Sequence, residues 1–243
     1  MLFRSTLGLA EAAERAGARI FEKTRALGHE TRDGLVHVRT PSGALRCRHL
    51  VLCGNVYLGD LAPALLTKVM AIGTFIVATE RLGTDRVRAL VRNRAAVADM
   101  NWIIDYFRPT SDSRLLFGGR VSYAGLDAFR TSTATRARML AVFPQLADVR
   151  ITHAWGGFLD ITLNRAPHFG RLAPTVYFAQ GFSGHGVVLT GVAGKLIAET
   201  IAGTAERFDV FARIPHRGFP GGVALRRPAL MLAMLYYRLR DLL

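Results

Sequence analysis

The spacing of apolar positions changes along this chain from a helical period to alternation and back to a helical period. In the first part, residues 7–16 carry alanine and leucine at helical spacing and stop at Gly17, which predicts an amphipathic helix. The short run at residues 18–22 predicts a strand. A helix followed by a strand is typical of an α/β layer, so we expect a sheet here.

Three further short runs predict more of this sheet. Alternating residues at 35–39 and 44–48 flank a Pro-Ser-Gly turn, which predicts a hairpin. The uninterrupted apolar run at residues 50–53 predicts a strand buried on both faces, and Gly54 followed by Asn55 ends it.

The middle of the chain is dominated by period-two alternation. Between residues 69 and 153 we expect a mostly antiparallel α+β region, because hairpin turns separate the alternating runs. One helix is expected at residues 130–143, with Pro144 just past its end. The alternating runs are residues 74–79, 101–108 and 115–119.

A strand, a glycine-rich turn and a helix follow one another without a gap near the end of the chain. The strand is predicted at residues 175–179, the turn at 180–186 and the helix at 187–201. Glycines at 181, 184 and 186 allow left-handed dihedrals and a close approach of a flat ring to the backbone. A helix start of this kind presents N–H groups and a positive dipole end to an electron-rich ligand.

The formal charge of +14 comes almost wholly from arginine, since the chain has only three lysines. The arginines are scattered and no nucleic-acid motif accompanies them, so we expect attraction for anions and no nucleic-acid partner. Cys47 and Cys53 do not make a disulfide framework. With no leader and no long apolar run in view, the expected location is the cytoplasm, without membrane insertion. The basic, apolar tail at residues 229–243 predicts a helix that docks on the protein or associates weakly with a membrane surface.

The residues around the glycine turn resemble those of the glycine/D-amino-acid/sarcosine oxidase family of FAD-dependent oxidoreductases, within it most closely the branch that oxidises gamma-glutamylputrescine. The likeness covers nearly the whole chain. It rests on Trp-Gly-Gly at 155–157, Asp-Ile-Thr at 160–162, Asn-Arg-Ala-Pro-His-Phe-Gly at 164–170, Gly-Phe-Ser-Gly-His-Gly at 181–186, Asn-Trp at 101–102, Tyr-Phe-Arg-Pro at 106–109 and Phe-Pro-Gly-Gly at 219–222.

The resemblance implies an α/β fold in which a partial, Rossmann-like FAD-binding domain is interrupted by a substrate-binding domain. The implied FAD segments are residues 1–68 and 154–206, the substrate domain is 69–153, and the tail is 207–243. The residues implied to lie against FAD are Ala26, Cys53, Gly54, Gly181, Phe182, Ser183, Gly184, His185, Gly186 and Val187. Two alternatives stay open here: Gly54 merely ends a strand, and the His185 side chain only fixes the turn.

For the substrate, the resemblance implies a small amine. Sarcosine-oxidase relatives carry a lysine two residues after the Gly-Phe-Ser-Gly-His-Gly motif, where it pairs with the substrate carboxylate, and this chain has Val188 there. We therefore expect an amine on a plain alkyl chain. Tyr106, Phe107 and Trp155 are candidates for the walls of its site or for the core. Arg108 is a candidate partner of a distal carboxylate, or a surface partner of Asp105.

A GxGxxG motif, with which flavin dinucleotide folds begin, is absent from the sequence. We therefore expect this chain to be the C-terminal part of a family member and to bind FAD poorly by itself. Three functions remain open: an alkylamine oxidase that uses oxygen, an amino-acid oxidase or quinone-linked dehydrogenase, and an inactive remnant.

Overall fold

The computed structural model describes residues 2–101, 104–122 and 128–222, together with positions 225, 228, 231, 232 and 236. The chain forms two compact units. The first unit comprises Met1–Val69 and Asp160–Gly218, and the second comprises Met70–Leu159 with the described residues after Gly218. The second unit is thus inserted into the first along the chain.

The described chain contains both helices and strands. In chain order they are α1 (Leu2–Arg15), β1 (Gly28–Arg32), β2 (Leu35–Thr40), β3 (Gly43–Cys47), β4 (Leu50–Leu52), α2 (Pro63–Leu66), β5 (Met70–Thr79), α3 (Thr84–Leu90), β6 (Val97–Ala98), β7 (Tyr106–Pro109), β8 (Leu115–Ser122), α4 (Ala128–Val142), β9 (Ile151–Ile161), β10 (His168–Ala173), β11 (Val176–Gln180), α5 (Gly186–Ile201) and α6 (Glu206–Ala212).

The first unit contains two three-stranded sheets, and β11 is the central strand of one of them. One sheet is the antiparallel meander β1-β2-β3, and the other has the order β10-β11-β4, with β11 parallel to β4 and antiparallel to β10. Val176 and Phe178 of β11 pack on one side with Val36 of β2, while Tyr177 packs on the other side with Leu196 of α5. Because successive side chains of a strand point to opposite faces, β11 is buried on both of them.

The second unit is built on the five-stranded sheet β6-β7-β8-β5-β9. The β5–β8, β6–β7 and β7–β8 pairs are antiparallel, as the alternating sequence pattern predicts. One core cluster joins strand residues such as Val77 and Phe117 to Met139 and Phe143, which lie at α4 and its end. Helix α4 therefore covers one face of this sheet.

Most of the elements predicted from the sequence are present, and three expectations need correction. Residues 18–22 form no strand, because no described strand pairs with them and a strand without a partner leaves its backbone unsatisfied. Residue Val51 of β4 is 38% exposed, so β4 is not buried on both faces. The strand expected at residues 101–108 begins only at Tyr106.

The compact units have their own boundaries along the chain. The second unit runs to Leu159, which lies inside β9, and residues 207–218 group with the first unit. The tail helix expected at residues 229–243 falls almost wholly outside the described residues.

Candidate functional site

The turn between β11 and α5 has an unusual backbone. Three residues in it have positive φ angles, namely Gly181 (72°), Ser183 (51°) and Gly184 (93°). A positive φ at serine is uncommon, so the surrounding contacts must hold the turn in this conformation. The turn ends at His185, which occupies the N-cap position of α5.

The inner side of the turn is bound by the end of β9. The N–H of Gly181 donates to Oδ2 of Asp160, the N–H of Phe182 donates to the same carboxylate, and the N–H of Ser183 donates to the Asp160 carbonyl at 3.0 Å. Asp160 is only 5% exposed. Burial raises the pKa of its carboxyl above that of an ordinary aspartate, and the backbone N–H bonds oppose this rise.

Ser183 is also turned inward. Its hydroxyl accepts the N–H of Thr162 at 3.4 Å and donates to the Gly181 carbonyl at 3.3 Å. The Ser183 side chain is therefore engaged within the protein, so the contact with FAD that the resemblance implies for this residue would fall to its backbone. Phe182 likewise packs its ring against the core cluster of α5, so in both residues the side chain stabilises the turn.

The outer side of the turn is exposed. Gly184, His185, Val187 and Val188 are exposed, and no side chain caps the N-terminus of α5. A Cβ placed on Gly184 would meet nothing within 4 Å. Since the first N–H groups of a helix have no intrahelical acceptor, the start of α5 offers open donors and a positive dipole end.

A pair of stacked histidines lies directly behind the turn, and the sequence analysis missed it. The Gln180 amide donates to Nδ1 of His168 at 3.1 Å and to the Leu65 carbonyl at 3.2 Å. The ring of His168 stacks on that of His216 with 4.2 Å between centroids. Burial lowers the pKa of His168 to about 4, with further lowering by His216 and by Lys68. The only sequence signal was His168 itself, inside a motif quoted for other reasons.

The segment that carries His216 is tied to the rest of the first unit. Lys68 donates from Nζ to the His216 carbonyl at 2.8 Å, and Asn164 donates from Nδ2 to the Pro215 carbonyl at 3.0 Å. Nε2 of His216 lies 3.2 Å from the Ala166 carbonyl. These contacts hold the segment that carries His216 in place, so that His216 stacks on His168 next to the turn.

The remaining residues expected at the FAD site lie elsewhere in the first unit. Ala26 packs against the cluster that contains Val176 and Phe178. Cys53 is an exposed free thiol just after β4. A Cβ on Gly54 would come within 2.7 Å of Cδ2 of Leu58, so close packing also accounts for this glycine.

In the second unit, the residues expected to contact substrate divide between two faces of the sheet. Tyr106 and Arg108 alternate with Phe107 on β7, so they share the face opposite to it. The ring of Phe107 lies 5.8 Å from that of Phe117 and 4.8 Å from that of Phe143, between centroids. Of its two alternatives, wall or core, Phe107 therefore takes the second, as a partly buried ring packed against the core cluster.

Tyr106 lies flat across the neighbouring strand. A Cβ on Gly118 would collide with the Tyr106 ring, so only glycine leaves room for it on β8. Burial raises the pKa of the Tyr106 phenol, which therefore stays neutral, and a hydrogen bond with the Thr74 side chain opposes this rise.

The other expected substrate residues are partly exposed or paired differently. Trp155 of β9 is 44% exposed. Two guanidinium nitrogens of Arg138 donate to the carboxylate of Asp105, which is buried. Val188, in the first turn of α5 in the first unit, is 71% exposed.

The described residues contain no group of three or more histidine, cysteine, aspartate or glutamate side chains placed to bind a metal ion. Among the helices described here, none is long and apolar enough to cross a membrane.

Proteins of similar sequence are oxidoreductases. The chain is 42% identical over 236 residues to a gamma-glutamylputrescine oxidoreductase of Escherichia coli, covering 97% of this chain and 55% of that protein. It is 37% identical to a probable oxidoreductase, OrdL, of Haemophilus influenzae, covering 97% of this chain and 54% of that protein. The chain thus spans about half the length of the curated relatives it matches.

The fold is also that of known enzymes of this class. A crystal structure of L-proline dehydrogenase from P. horikoshii superposes with a TM-score of 0.71 at 20% identity, over 84% of this chain and 56% of that one. The sequence model described as DAO, FAD dependent oxidoreductase, matches residues 3–200. This chain therefore belongs to the family of FAD-dependent oxidoreductases of the DAO type.

Proposed function

We propose that the protein carrying this chain uses FAD to oxidise a primary amine on an alkyl chain, similar to gamma-glutamylputrescine. The proposal rests on the start of α5. This helix N-terminus has no side-chain cap, and the first turn of the helix carries an apolar residue, Val188, instead of a cationic one. The name of the E. coli relative supports this choice of substrate.

The residues at this helix start fit the flavin ring of FAD. The electron-rich edge of the ring needs hydrogen-bond donors and positive potential, and the open N–H groups after Gly184 supply both. Gly184 leaves space for a flat ring against the backbone, since a Cβ there would meet no atom within 4 Å. We assign the exposed backbone of residues 184–187 to the flavin, and Ala26, Cys53 and Gly54 to its nucleotide part.

Val188 determines which amines are accepted in this proposal. A carboxylate next to the amine would find an apolar side chain there, and a desolvated carboxylate without a partner is costly. An amine on a plain methylene chain brings no charged group beside Val188 that would lack a partner. The site therefore favours the putrescine end of gamma-glutamylputrescine over glycine or sarcosine.

Three residues of the second unit are assigned to the substrate. Tyr106 presents a neutral hydroxyl and a flat ring on the sheet face that α4 does not cover. Arg108 follows two residues later on that face and is assigned to a distal carboxylate of the substrate. Trp155 offers apolar surface to a methylene chain.

When bound, FAD would accept a hydride from the carbon that bears the neutral amine. The resulting imine hydrolyses in water to an aldehyde, and oxygen is the proposed final electron acceptor. The contribution of this chain is to orient the cofactor at α5 and to exclude substrates that carry a carboxylate beside the amine.

The test is an anaerobic titration of the protein, purified at its full natural length from its native source. We expect a visible flavin absorption band that gamma-glutamylputrescine bleaches, and aldehyde formation after oxygen is admitted. Sarcosine and glycine serve as comparison substrates and should bleach the band at least tenfold more slowly. A flavin band bleached by sarcosine but not by the alkylamine would reverse the substrate assignment, and a protein without FAD would overturn the proposal.

A further inference from the structure

Asp160 accepts hydrogen bonds from three successive backbone N–H groups of the glycine turn. Its carboxylate accepts the N–H groups of Gly181 and Phe182, and its carbonyl accepts that of Ser183. These three amides all point to the inner side of the turn, where Gly181 and Ser183 are buried. One residue of β9 therefore determines which way this part of the turn faces.

The next residues lie on the exposed side of the turn. Gly184, Val187 and Val188 are exposed, while the N–H of His185 is used within the turn by the Phe182 carbonyl at 2.9 Å. The change from buried to exposed residues occurs between Ser183 and Gly184, and both of these have positive φ. Because such a backbone is strained at serine, it persists only while the inward amides are held.

We propose that Asp160 is a positioning residue for the cofactor: by binding the amides of residues 181–183 it turns those of residues 184 and 186–188 toward the flavin. Asp160 does not touch the cofactor in this proposal. The inference rests on the proposed function, since it concerns the same turn.

The chemistry of the side chain explains why an aspartate is needed. An ionised carboxylate offers only acceptor sites and can take two N–H groups at once, whereas an asparagine amide directs its own N–H₂ at one of them. No cationic side chain of the described residues contributes to the pKa shift of Asp160, and the groups that stabilise its charged form are backbone N–H groups. The surrounding protein keeps water away from the carboxylate, which strengthens each of these bonds.

The first experiment is amide hydrogen exchange on the wild-type protein, with and without FAD. We expect the amides of 181–183 to be protected in both states, and those of 184 and 186–188 to be protected at least tenfold more with FAD than without. The reverse distribution, with FAD protecting 181–183, would overturn the proposal. This measurement needs no variant, so it stands even if substitutions at Asp160 prevent folding.

The second experiment compares Asp160→Asn with the control Asp209→Asn. Asp209 also lies in the first unit, but it pairs with Arg171 at 2.7 Å and is remote from the turn in sequence and bonding. We expect Asp160→Asn to weaken FAD binding at least tenfold and to speed exchange at residues 181–183, with the amides of β11 unchanged. The control should leave FAD affinity within twofold of wild type.

The outcomes separate the two proposals. If the wild-type protein binds FAD and Asp160→Asn binds it equally well, the positioning role is wrong while the proposed function stands. If exchange accelerates throughout β11 and α5, Asp160 is only structural. If the wild-type protein binds no FAD, both proposals fail.

Discussion

His168 and His216 stack with 4.2 Å between their ring centroids and an angle of 25° between their planes. His168 accepts a hydrogen bond at Nδ1 from Gln180, the last residue of β11, so the pair lies next to the glycine turn. Both ring nitrogens of His216 lie against carbonyl oxygens, those of Ile214 and Ala166. The stack therefore joins the end of the first unit to the strand that positions the turn.

This stack predicts a loss of stability in mild acid. The pKa of His168 is lowered to about 4 in the folded protein, below the ordinary value of 6.5, so the unfolded chain binds the proton more readily. The folded state is most stable above pH ~6.5 and loses stability as the pH falls toward ~4. Because His168 is partly exposed and solvent screens its charge, we expect a loss of about 1–2 kcal/mol. Hydrogen exchange of the β11 amides at pH 7 and pH 5 measures it.

The matched variants for this prediction are His168→Gln and His153→Gln. His153 is exposed and lies in the second unit, so its replacement should leave the pH dependence of β11 unchanged. His168→Gln should remove most of it, and an unaltered dependence in that variant would contradict the assignment to His168.

Gly181→Ala should destabilise the first unit more than Gly184→Ala does. Both glycines have positive φ, so each substitution adds backbone strain of about 1 kcal/mol. At Gly181 the new Cβ would also collide with Cγ2 of Thr162 and approach Cβ of His168 at 3.2 Å, whereas at Gly184 it meets nothing within 4 Å. We expect a further loss of roughly 1–3 kcal/mol at Gly181. Equal losses in denaturant unfolding would refute the packing argument.

Gly184→Ala should instead impair cofactor binding. Its Cβ would project into the space that the proposed flavin ring occupies, so FAD affinity should fall at least tenfold with a loss of stability near 1 kcal/mol. Isothermal titration with FAD measures the effect. A variant with unchanged affinity would place the flavin ring elsewhere.

Val188→Lys should change the substrate preference. A lysine in the first turn of α5 places a cation where an α-carboxylate would otherwise remain unpaired. We expect kcat/KM for sarcosine to rise at least tenfold relative to gamma-glutamylputrescine. Val192→Lys, one helical turn further on and also exposed, is the control and should leave this ratio unchanged. A ratio that moves equally in both variants would point to a general effect of charge.

Substitution of Tyr106 should affect substrate binding, whereas substitution of Phe107 should affect stability. Phe107→Ala removes a ring packed on Phe117 and Phe143, so it should cost about 2–4 kcal/mol of stability in the second unit. Tyr106→Phe removes only a hydroxyl and should change KM with little effect on stability. Both tryptophans of the chain lie in the range of this unit, so their fluorescence reports its unfolding. A large stability loss in Tyr106→Phe would argue against a substrate role.

Local sequence patterns predicted the main helices and strands correctly where interactions between residues close in the sequence determine them. Helix α5 begins and ends within a residue of its predicted bounds because glycines and a long apolar run mark it. The strand predicted at residues 18–22 is not formed, because a strand requires a partner strand and no local sequence pattern supplies one. Phe107 and Tyr106 look alike in the sequence, and only the position of α4 on one face makes the first of them a core residue.

The sequence by itself determined most of the helices and strands, the glycine turn and the family, since these depend on residue types at fixed spacings. Only the tertiary structure showed that Asp160 binds the turn, that Ser183 faces inward and that His216 stacks on His168. Each of these contacts joins residues more than twenty positions apart or depends on a φ angle. Such contacts form when distant segments pack together, and no periodicity along the chain encodes them.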